Sequence, residues 1–400
     1  MTVTVKQSKA RGTVVAPPSK SMAHRALICG ALTEKSIIKN IAFSKDIEAT
    51  LSCLEALGAK VRVKNDTVEI GGMKIDEIKD GATLNCNESG STLRFLLPLC
   101  MASGKRITLT GAPRLFERPL SIYEEIAKAQ SILFEKGETC VTVCGKITSG
   151  KYKVAGNVSS QFISGLLFAL PLLSDESQIT VTGDFESASY VALTVAAMSD
   201  FGIELKRNGN VFYINNCKYK SGEYTVEGDC SNAAFLEAFN YMGGDVSVLG
   251  LNPDTLQGDR VYKKIFEGLK NGIRQFDLSD CPDLAPVAFA VSAVLGGAEF
   301  TGTKRLKIKE SDRAEAMREE LAKFGIEAKV YDNSVIIKNG QIKKPCLPLS
   351  SHNDHRIAMA VTLLLTLTGG SLKGAEAIAK SYPDFYEKIS SIGIDLNETD

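Results

Sequence analysis

The stretch from Asp46 to Ile70 reads DIEATLSCLEALGAKVRVKNDTVEI. Its first half spaces Ile47, Leu51, Leu54 and Leu57 by four, three and three residues, which places them on one face of a helix. Gly58 follows the last turn, where glycine accepts the left-handed backbone that closes a helix. The rest is two short β-type runs around Asn65-Asp66, a pair that tolerates the positive φ of a hairpin turn. The unit is therefore helix, glycine, strand, turn, strand.

This unit recurs. A second copy is Tyr190–Phe201, Gly202 and IELKRNGNVFYI, with Asn208-Gly209 as its turn. A third is Asp312–Phe324, Gly325 and IEAKVYDNSVIIK. Weaker copies end at Gly137, Gly272 and Gly393. Between them lie helical patterns at Lys20–Leu32, Ser91–Ala102 and Ser160–Leu172, each followed by a strand. Six units predict an α/β fold built by repetition, three units to a lobe. Chance recurrence in an ordinary α/β protein is the competing explanation, and the fold class alone fixes no function.

A chain of 400 residues with 44% hydrophobic content is long enough for two domains. Lys plus Arg equals Asp plus Glu at 47 each, so no global charge points to nucleic acid or an anionic membrane. Any basic site must be local. Ten cysteines are scattered through apolar runs such as Ala26–Gly30 and Leu97–Met101, without Cys-x-x-Cys spacing. They predict buried, reduced thiols and a cytoplasmic protein. The N-terminal MTVTVKQSKARG lacks the apolar core of a signal peptide. The longest apolar run, Ile357 to Leu367, is broken by two threonines and falls short of the ~18–20 residues of a membrane span. No apolar helix stripe is left over, which predicts a monomer.

Charged residues gather where helices begin. Ser19-Lys20-Ser21 opens a helix with His24-Arg25 one turn on, and hydroxyls, free N–H groups and cations together bind anions. An ordinary capped helix with solvated basic residues would read the same way. Glu88-Ser89-Gly90-Ser91-Thr92-Leu93-Arg94 repeats the form, with a glycine that lets a ligand approach the backbone. Arg118 in Glu117-Arg118-Pro119 is expected just before a proline-started helix. Ser159-Ser160-Gln161 is another hydroxyl-rich helix start, after the strand KYKVAGNV. Neither G-x-x-x-x-G-K-[ST] nor G-x-G-x-x-G occurs, so a nucleotide fold is not supported.

In the second half, Asp283 follows Cys281-Pro282 at a helix entrance, and Lys309-Glu310-Ser311-Asp312-Arg313 precedes another helix. Asn353-Asp354-His355-Arg356 opens an apolar helix, and Lys380 precedes Ser381-Tyr382-Pro383. Charges beside buried helix starts cost desolvation unless something pairs with them. His352 and His355 have metal-ligand spacing, but no third ligand is apparent among the three histidines of the chain. Eight cations, Lys20, Arg25, Arg94, Arg118, Lys309, Arg313, Arg356 and Lys380, suit two small, multiply charged anions.

Together PSKSMAHR, NESGSTLRF, ERP, VSSQF, KESDR, NDHR and KSYPD, in order from Pro18 onward, resemble the 5-enolpyruvylshikimate-3-phosphate synthase family over essentially the whole chain. The sister family, UDP-N-acetylglucosamine enolpyruvyl transferase, would carry Lys-Asn at Lys20-Ser21 and a cysteine in the loop that here reads TGAPRLFERP. The resemblance implies two similar lobes of three βαβαββ units each, an inside-out α/β barrel arrangement. Residues 19–227 would form the lobe that binds shikimate 3-phosphate. Residues 1–18 and 228–400 would form the lobe with the catalytic carboxylates and much of the phosphoenolpyruvate clamp. The implied reaction moves the enolpyruvyl group of phosphoenolpyruvate to the 5-hydroxyl of shikimate 3-phosphate through a tetrahedral ketal, without metal or other cofactor.

The resemblance assigns roles residue by residue. Lys20, Ser21, Arg25, Ser159, Ser160, Gln161 and Ser187 would bind shikimate 3-phosphate, with Asp283 and Lys309 at its 5-hydroxyl. Lys20, Gly90, Arg118, Gln161, Arg313, Arg356 and Lys380 would hold phosphoenolpyruvate. Asp283, Glu310, Lys20 and Lys309 would be catalytic, and the lobes would close on the first substrate. Gly90 implies sensitivity to glyphosate, a phosphoenolpyruvate competitor. His24 and Glu88 stand where many relatives have Asn, and Arg305 where some have it, which leaves their local contacts open. A non-catalytic repeat scaffold would leave the cations solvated and spread. An RNA 3′-phosphate cyclase would need a nucleotidylated histidine.

Overall fold

The computed structural model describes residues 1–399. The chain forms two compact units, one of Pro18–Glu227 and one of Met1–Pro17 with Gly228–Asp400.

In the Pro18–Glu227 unit one arrangement occurs three times. Ala82–Asn85 runs parallel to Ile107–Thr110, which pairs antiparallel with Cys140–Cys144, and Leu133–Lys136 forms the edge. Helices Gly90–Ser103 and Ser121–Ala129 make the two connections, giving βαβαββ. Lys151–Ala155, Ser177–Thr182, Val211–Ile214 and Lys206–Asn208 repeat the order. In the remaining sheet the first position is filled from the far end of the unit, by Glu223–Thr225 parallel to Ser36–Lys39.

Helices Lys20–Ala31, Gly90–Ser103 and Ser160–Ala169 are buried almost all round, which makes them the centre of this unit. Gly165 permits their close approach, because a β-carbon there would meet the Arg94 carbonyl and the Tyr123 hydroxyl. Phe95 and Phe168 pack edge to face at 5.4 Å across the same contact.

The other unit holds two further four-stranded sheets of the same order. In one, the N-terminal strand Thr2–Val5 supplies the fourth position, between Gly370–Lys373 and Leu396–Thr399. The other runs Gln275–Asp277, Ala298–Thr301, Ser334–Ile337, Ala328–Val330. The sixth sheet is reduced to Arg11–Val15 parallel to Asp245–Leu249 among the described residues. The repeated α/β fold is thus as expected, with one truncated copy.

The opening stretch behaves as read. Lys45–Ala56 is helical, Gly58 has φ +101°, and Asn65 turns the hairpin at φ 53°. Ile47, Leu51, Leu54 and Leu57 are all buried. Three details differ. The fourth helix-closing position is Ser131, at φ 55°, whose neighbour Ile132 bonds back to the Ala127 carbonyl. Gly137 instead lies in the hairpin after the strand Leu133–Lys136, because Ser131 has already closed the helix. After Gly272 the chain passes directly to the first strand of the next sheet, Gln275–Asp277, without a hairpin. In the second copy Asn208 ends its strand, and the turn begins at Gly209, φ 55°.

Six of the ten cysteines are buried, but Cys346 is exposed, in a segment outside any helix or strand that leaves its thiol uncovered. No helix among the described residues is long and apolar enough to cross a membrane.

Candidate active site

Hydrogen bonds link the anion-binding candidates of the Pro18–Glu227 unit. Ser19 precedes the helix Lys20–Ala31, and its buried hydroxyl has no partner among the described residues. The Lys20 ammonium lies 2.7 Å from Asp46, in the first turn of the next helix. Four residues on from Ser21, Arg25 donates to the Ser21 carbonyl at 2.6 Å, the Tyr190 carbonyl at 2.9 Å and Thr194 Oγ1 at 2.8 Å, with its guanidinium over the Phe95 ring. No carboxylate pairs with it among the described residues. Burial pulls its pKa down to about 10, only partly offset by the neighbouring Tyr190, Tyr224 and Cys29. An unneutralised buried cation is what an anion site needs.

His24 joins three helices. Its Nδ1 lies 2.8 Å from Thr50 Oγ1, which lies 2.6 Å from Thr92 Oγ1, whose hydroxyl donates to Ser89 Oγ at 2.7 Å. Ser89 is the N-cap before Gly90 and also accepts from the Thr92 N–H. Burial, then Lys20 and Arg25, hold His24 well below the ordinary histidine range, so it is neutral.

Gly90 is where Arg118 lies against the helix start, since a β-carbon there would meet its guanidinium. Arg118 follows the short helix Pro113–Glu117, and the next helix begins at Ser121. The proline-started helix is therefore the one before Arg118: Pro113 occupies the first helical position, whereas Pro119 lies ahead of Leu120, the next N-cap. Arg94 donates to Gln161 Oε1 at 2.7 Å and to the Pro119 carbonyl at 3.1 Å. The other end of the Gln161 amide donates to Ser91 at 3.0 Å. Ser159 caps Ser160–Ala169 by accepting from the Gln161 N–H. Ser187 is the buried N-cap of Ala188–Asp200, in left-handed backbone at φ 55°.

The other unit holds a denser cluster. Asp283 sits in the short turn Pro282–Leu284 before the helix Ala285–Val294. Its Oδ1 lies 3.1 Å from Lys309 Nζ and 2.8 Å from Arg313 Nη1, and its Oδ2 lies 3.2 Å from Arg356 Nη2. Burial alone would raise its pKa, but Arg356, Lys309 and Arg313 outweigh burial and hold it well below the usual carboxylate range. Lys309 is pulled below the ordinary lysine value by burial, despite Asp283.

Arg313 is almost fully buried and meets three carboxylates: Asp283, Glu310 at 2.7 Å and Asp354 at 2.8 Å. Asp354 also caps the helix His355–Thr368. Arg356 donates to Ser231 at 3.0 Å, and Ser231 donates to Asp229, the N-cap of Cys230–Ala238. Lys380 Nζ donates to the Asn353 carbonyl at 2.5 Å. His352 and Asn353 both take left-handed backbone ahead of this helix.

Asp46, Thr50, Thr92, Thr194, Ser231 and Asp354 are therefore partners that the sequence did not assign. Asp46, Thr92, Ser231 and Asp354 stand in or just ahead of a helix's first turn, whereas Thr50 and Thr194 lie in a second turn and carried no such signal. His352 lies near Glu319 and Glu320. Lys323 already bonds both Glu320 oxygens at 2.9 Å, so Glu320 is satisfied as it stands.

Known proteins resemble this chain along almost its whole length. The profile described as EPSP synthase (3-phosphoshikimate 1-carboxyvinyltransferase) covers residues 5–389. A 3-phosphoshikimate 1-carboxyvinyltransferase of Clostridium kluyveri is 40% identical over 99% of this chain and 98% of its own. One from Clostridioides difficile is 38% identical over 98% and 97%. Among solved structures, EPSP synthase of Acinetobacter baumannii superposes with TM-score 0.77 at 22% identity, covering 99% of this chain and all of that one. An enolpyruvyl transferase of Streptomyces tendae gives 0.76 at 13% identity over 99% and 98% of the two chains, and these two show the shared fold. The chain belongs to the EPSP synthase family.

Proposed function

We propose that this chain transfers the enolpyruvyl group of phosphoenolpyruvate to the 5-hydroxyl of shikimate 3-phosphate, with release of phosphate. Family membership supports the reaction, and the observation that carries its chemistry is Asp283 held ionised by Lys309, Arg313 and Arg356.

Lys20, Ser21, Arg25, Ser159, Ser160, Gln161 and Ser187 are assigned to shikimate 3-phosphate, and Arg25 is the strongest of these assignments because its charge has no carboxylate partner among the described residues. Gly90, Arg118, Arg313, Arg356 and Lys380, with Lys20 and Gln161, are assigned to phosphoenolpyruvate. The 5-hydroxyl oxygen bonds to C2 of phosphoenolpyruvate as Asp283 takes its proton, and C3 gains a proton to become a methyl group. The resulting ketal loses C3–H and expels phosphate from C2, which restores the double bond as an enol ether. Lys309, made more acidic by burial and 3.1 Å from Asp283, and Glu310, on Arg313, are assigned the relay of these protons. Positioning and fixed charge supply the rest of the rate.

The test is phosphate release from purified protein with phosphoenolpyruvate and shikimate 3-phosphate, with UDP-N-acetylglucosamine as the parallel acceptor. Release with shikimate 3-phosphate alone, lost in Lys20→Met and Asp283→Ala, is expected. Release with the nucleotide sugar alone would move the chain to the sister activity.

A further inference from the structure

The unit containing Gly228–Asp400 has a cavity of about 730 Å³ apart from the Asp283 cluster. That volume is within the range of small-molecule sites, roughly 300–1,000 Å³. The end of the strand Asp245–Leu249 lines it, in the sheet that is reduced to two strands among the described residues. Its walls include Val248, Leu249, Leu251 and Pro253, which offer an apolar surface, and Leu249 is 53% exposed. Val15, paired beside Leu249 on the neighbouring strand, is 58% exposed. Two large aliphatic side chains thus stand together in solvent beside the cavity.

The charge of the walls has one sign. Arg260, Lys263 and Lys264 line the cavity, and no carboxylate does. Lys263 is 3.5 Å from Glu237, which lies outside the lining. The Arg260 guanidinium donates to the Thr255 carbonyl, and neither it nor Lys264 has a carboxylate partner among the described residues. An apolar wall next to unneutralised cations complements an organic anion with an apolar body.

One wall reaches the proposed chemistry. Cys230 lines the cavity, and its neighbour Ser231 accepts from Arg356, which touches Asp283. Gln257 fixes the same turn, accepting from the Cys230 N–H and donating to the Gly228 carbonyl. An occupant that displaces Cys230 displaces the hydroxyl on which Arg356 rests.

We propose that this cavity is a binding site for a small organic anion with an apolar body, and that its occupancy is felt at Arg356. The second half rests on the activity proposed above; the first does not.

The probe is 1-anilinonaphthalene-8-sulfonate, titrated by fluorescence against the full chain with shikimate 3-phosphate and inorganic phosphate saturating. Leu251→Trp fills the cavity, and exposed Lys264→Glu reverses a charge without touching the core. Each is expected to weaken probe binding by about tenfold, the loss of one close charge or packing contact. Binding unchanged in both variants, or abolished by the saturating ligands in wild type, overturns the site. With the site intact, the probe is expected to raise KM for phosphoenolpyruvate in wild type and not in Leu251→Trp. Equal effects in the two proteins overturn the link to Arg356. Absence of turnover in both would instead count against the proposed activity and leave the titration standing.

Discussion

A β-carbon on Gly90 would stand 2.8 Å from the guanidinium carbon of Arg118. Gly90 does not have a positive φ, so the need for glycine here is space and not backbone conformation. Gly90→Ala must push Arg118 off the start of the helix Gly90–Ser103. We expect KM for phosphoenolpyruvate to rise by about tenfold or more, with melting within a few degrees of wild type. Glyphosate inhibition should weaken in parallel. Steady-state kinetics with phosphoenolpyruvate varied checks this, and an unchanged KM would separate Arg118 from that substrate.

Arg25 carries a different expectation, because its burial works against the empty protein. A base whose folded pKa is lowered destabilises the charged folded state at every pH below that value, here about 10. At pH 7 the cost is roughly 3 kcal/mol before the three hydrogen bonds and the Phe95 ring offset it. Arg25→Met should therefore melt within a few degrees of wild type. Wild type should gain several degrees on addition of phosphate, and Arg25→Met less than half as much. A full phosphate shift in the variant would remove Arg25 from the anion site.

For His24 the pH dependence has a definite sign. Its folded pKa is depressed, so the unfolded chain takes up a proton near pH 6.5 and the folded chain does not. The stability it contributes is complete above pH 6.5 and lost as pH falls below that, by up to about 1.4 kcal/mol per pH unit. Asn at this position can keep the bond to Thr50 without titrating. Urea unfolding at pH 7, 6 and 5 should show a shallower decline for His24→Asn than for wild type. Parallel declines would mean that His24 titrates normally in the folded state.

The sequence carried the fold because the helix–glycine–hairpin pattern is local, as in Lys45–Ala56 and Gly58. It misplaced the closure before Leu133 because a serine, Ser131, takes the left-handed position that glycine was expected to take. The cations of the candidate site stood out in the sequence by their places in loops or at helix starts. Their partners did not, because they come from other elements: Lys20 meets Asp46 on the second helix of its own repeat, and Arg25 meets Thr194 on a helix of another repeat. Asp354 looked like a simple cap, and only packing shows that it also takes the Arg313 guanidinium. The lost hairpin beside Asp245–Leu249 left no mark beyond a short run after Gly272.

Asp283 joins stability to chemistry most closely. Its folded pKa is depressed, so its contribution is present above the unfolded value of 3.8 and lost as pH falls through the folded value. At neutral pH, Asp283→Asn leaves Lys309, Arg313 and Arg356 facing one another with one fewer counter-charge. Its side chain is about one-fifth exposed, so we expect a loss of about 2–4 kcal/mol, somewhat less than for a fully buried pair. Turnover should fall by about 10²–10⁴, as for removal of a general base. The stability difference from wild type should shrink below pH 3.8, where the wild-type carboxylate begins to lose its advantage. Adding Lys309→Met to Asp283→Asn removes one of the opposed cations. The double variant should therefore regain stability without regaining activity, since Lys309 is itself assigned a part in moving protons. Denaturant titration and phosphate release on the same preparations decide it: activity that returns with stability would reduce Asp283 to a structural role.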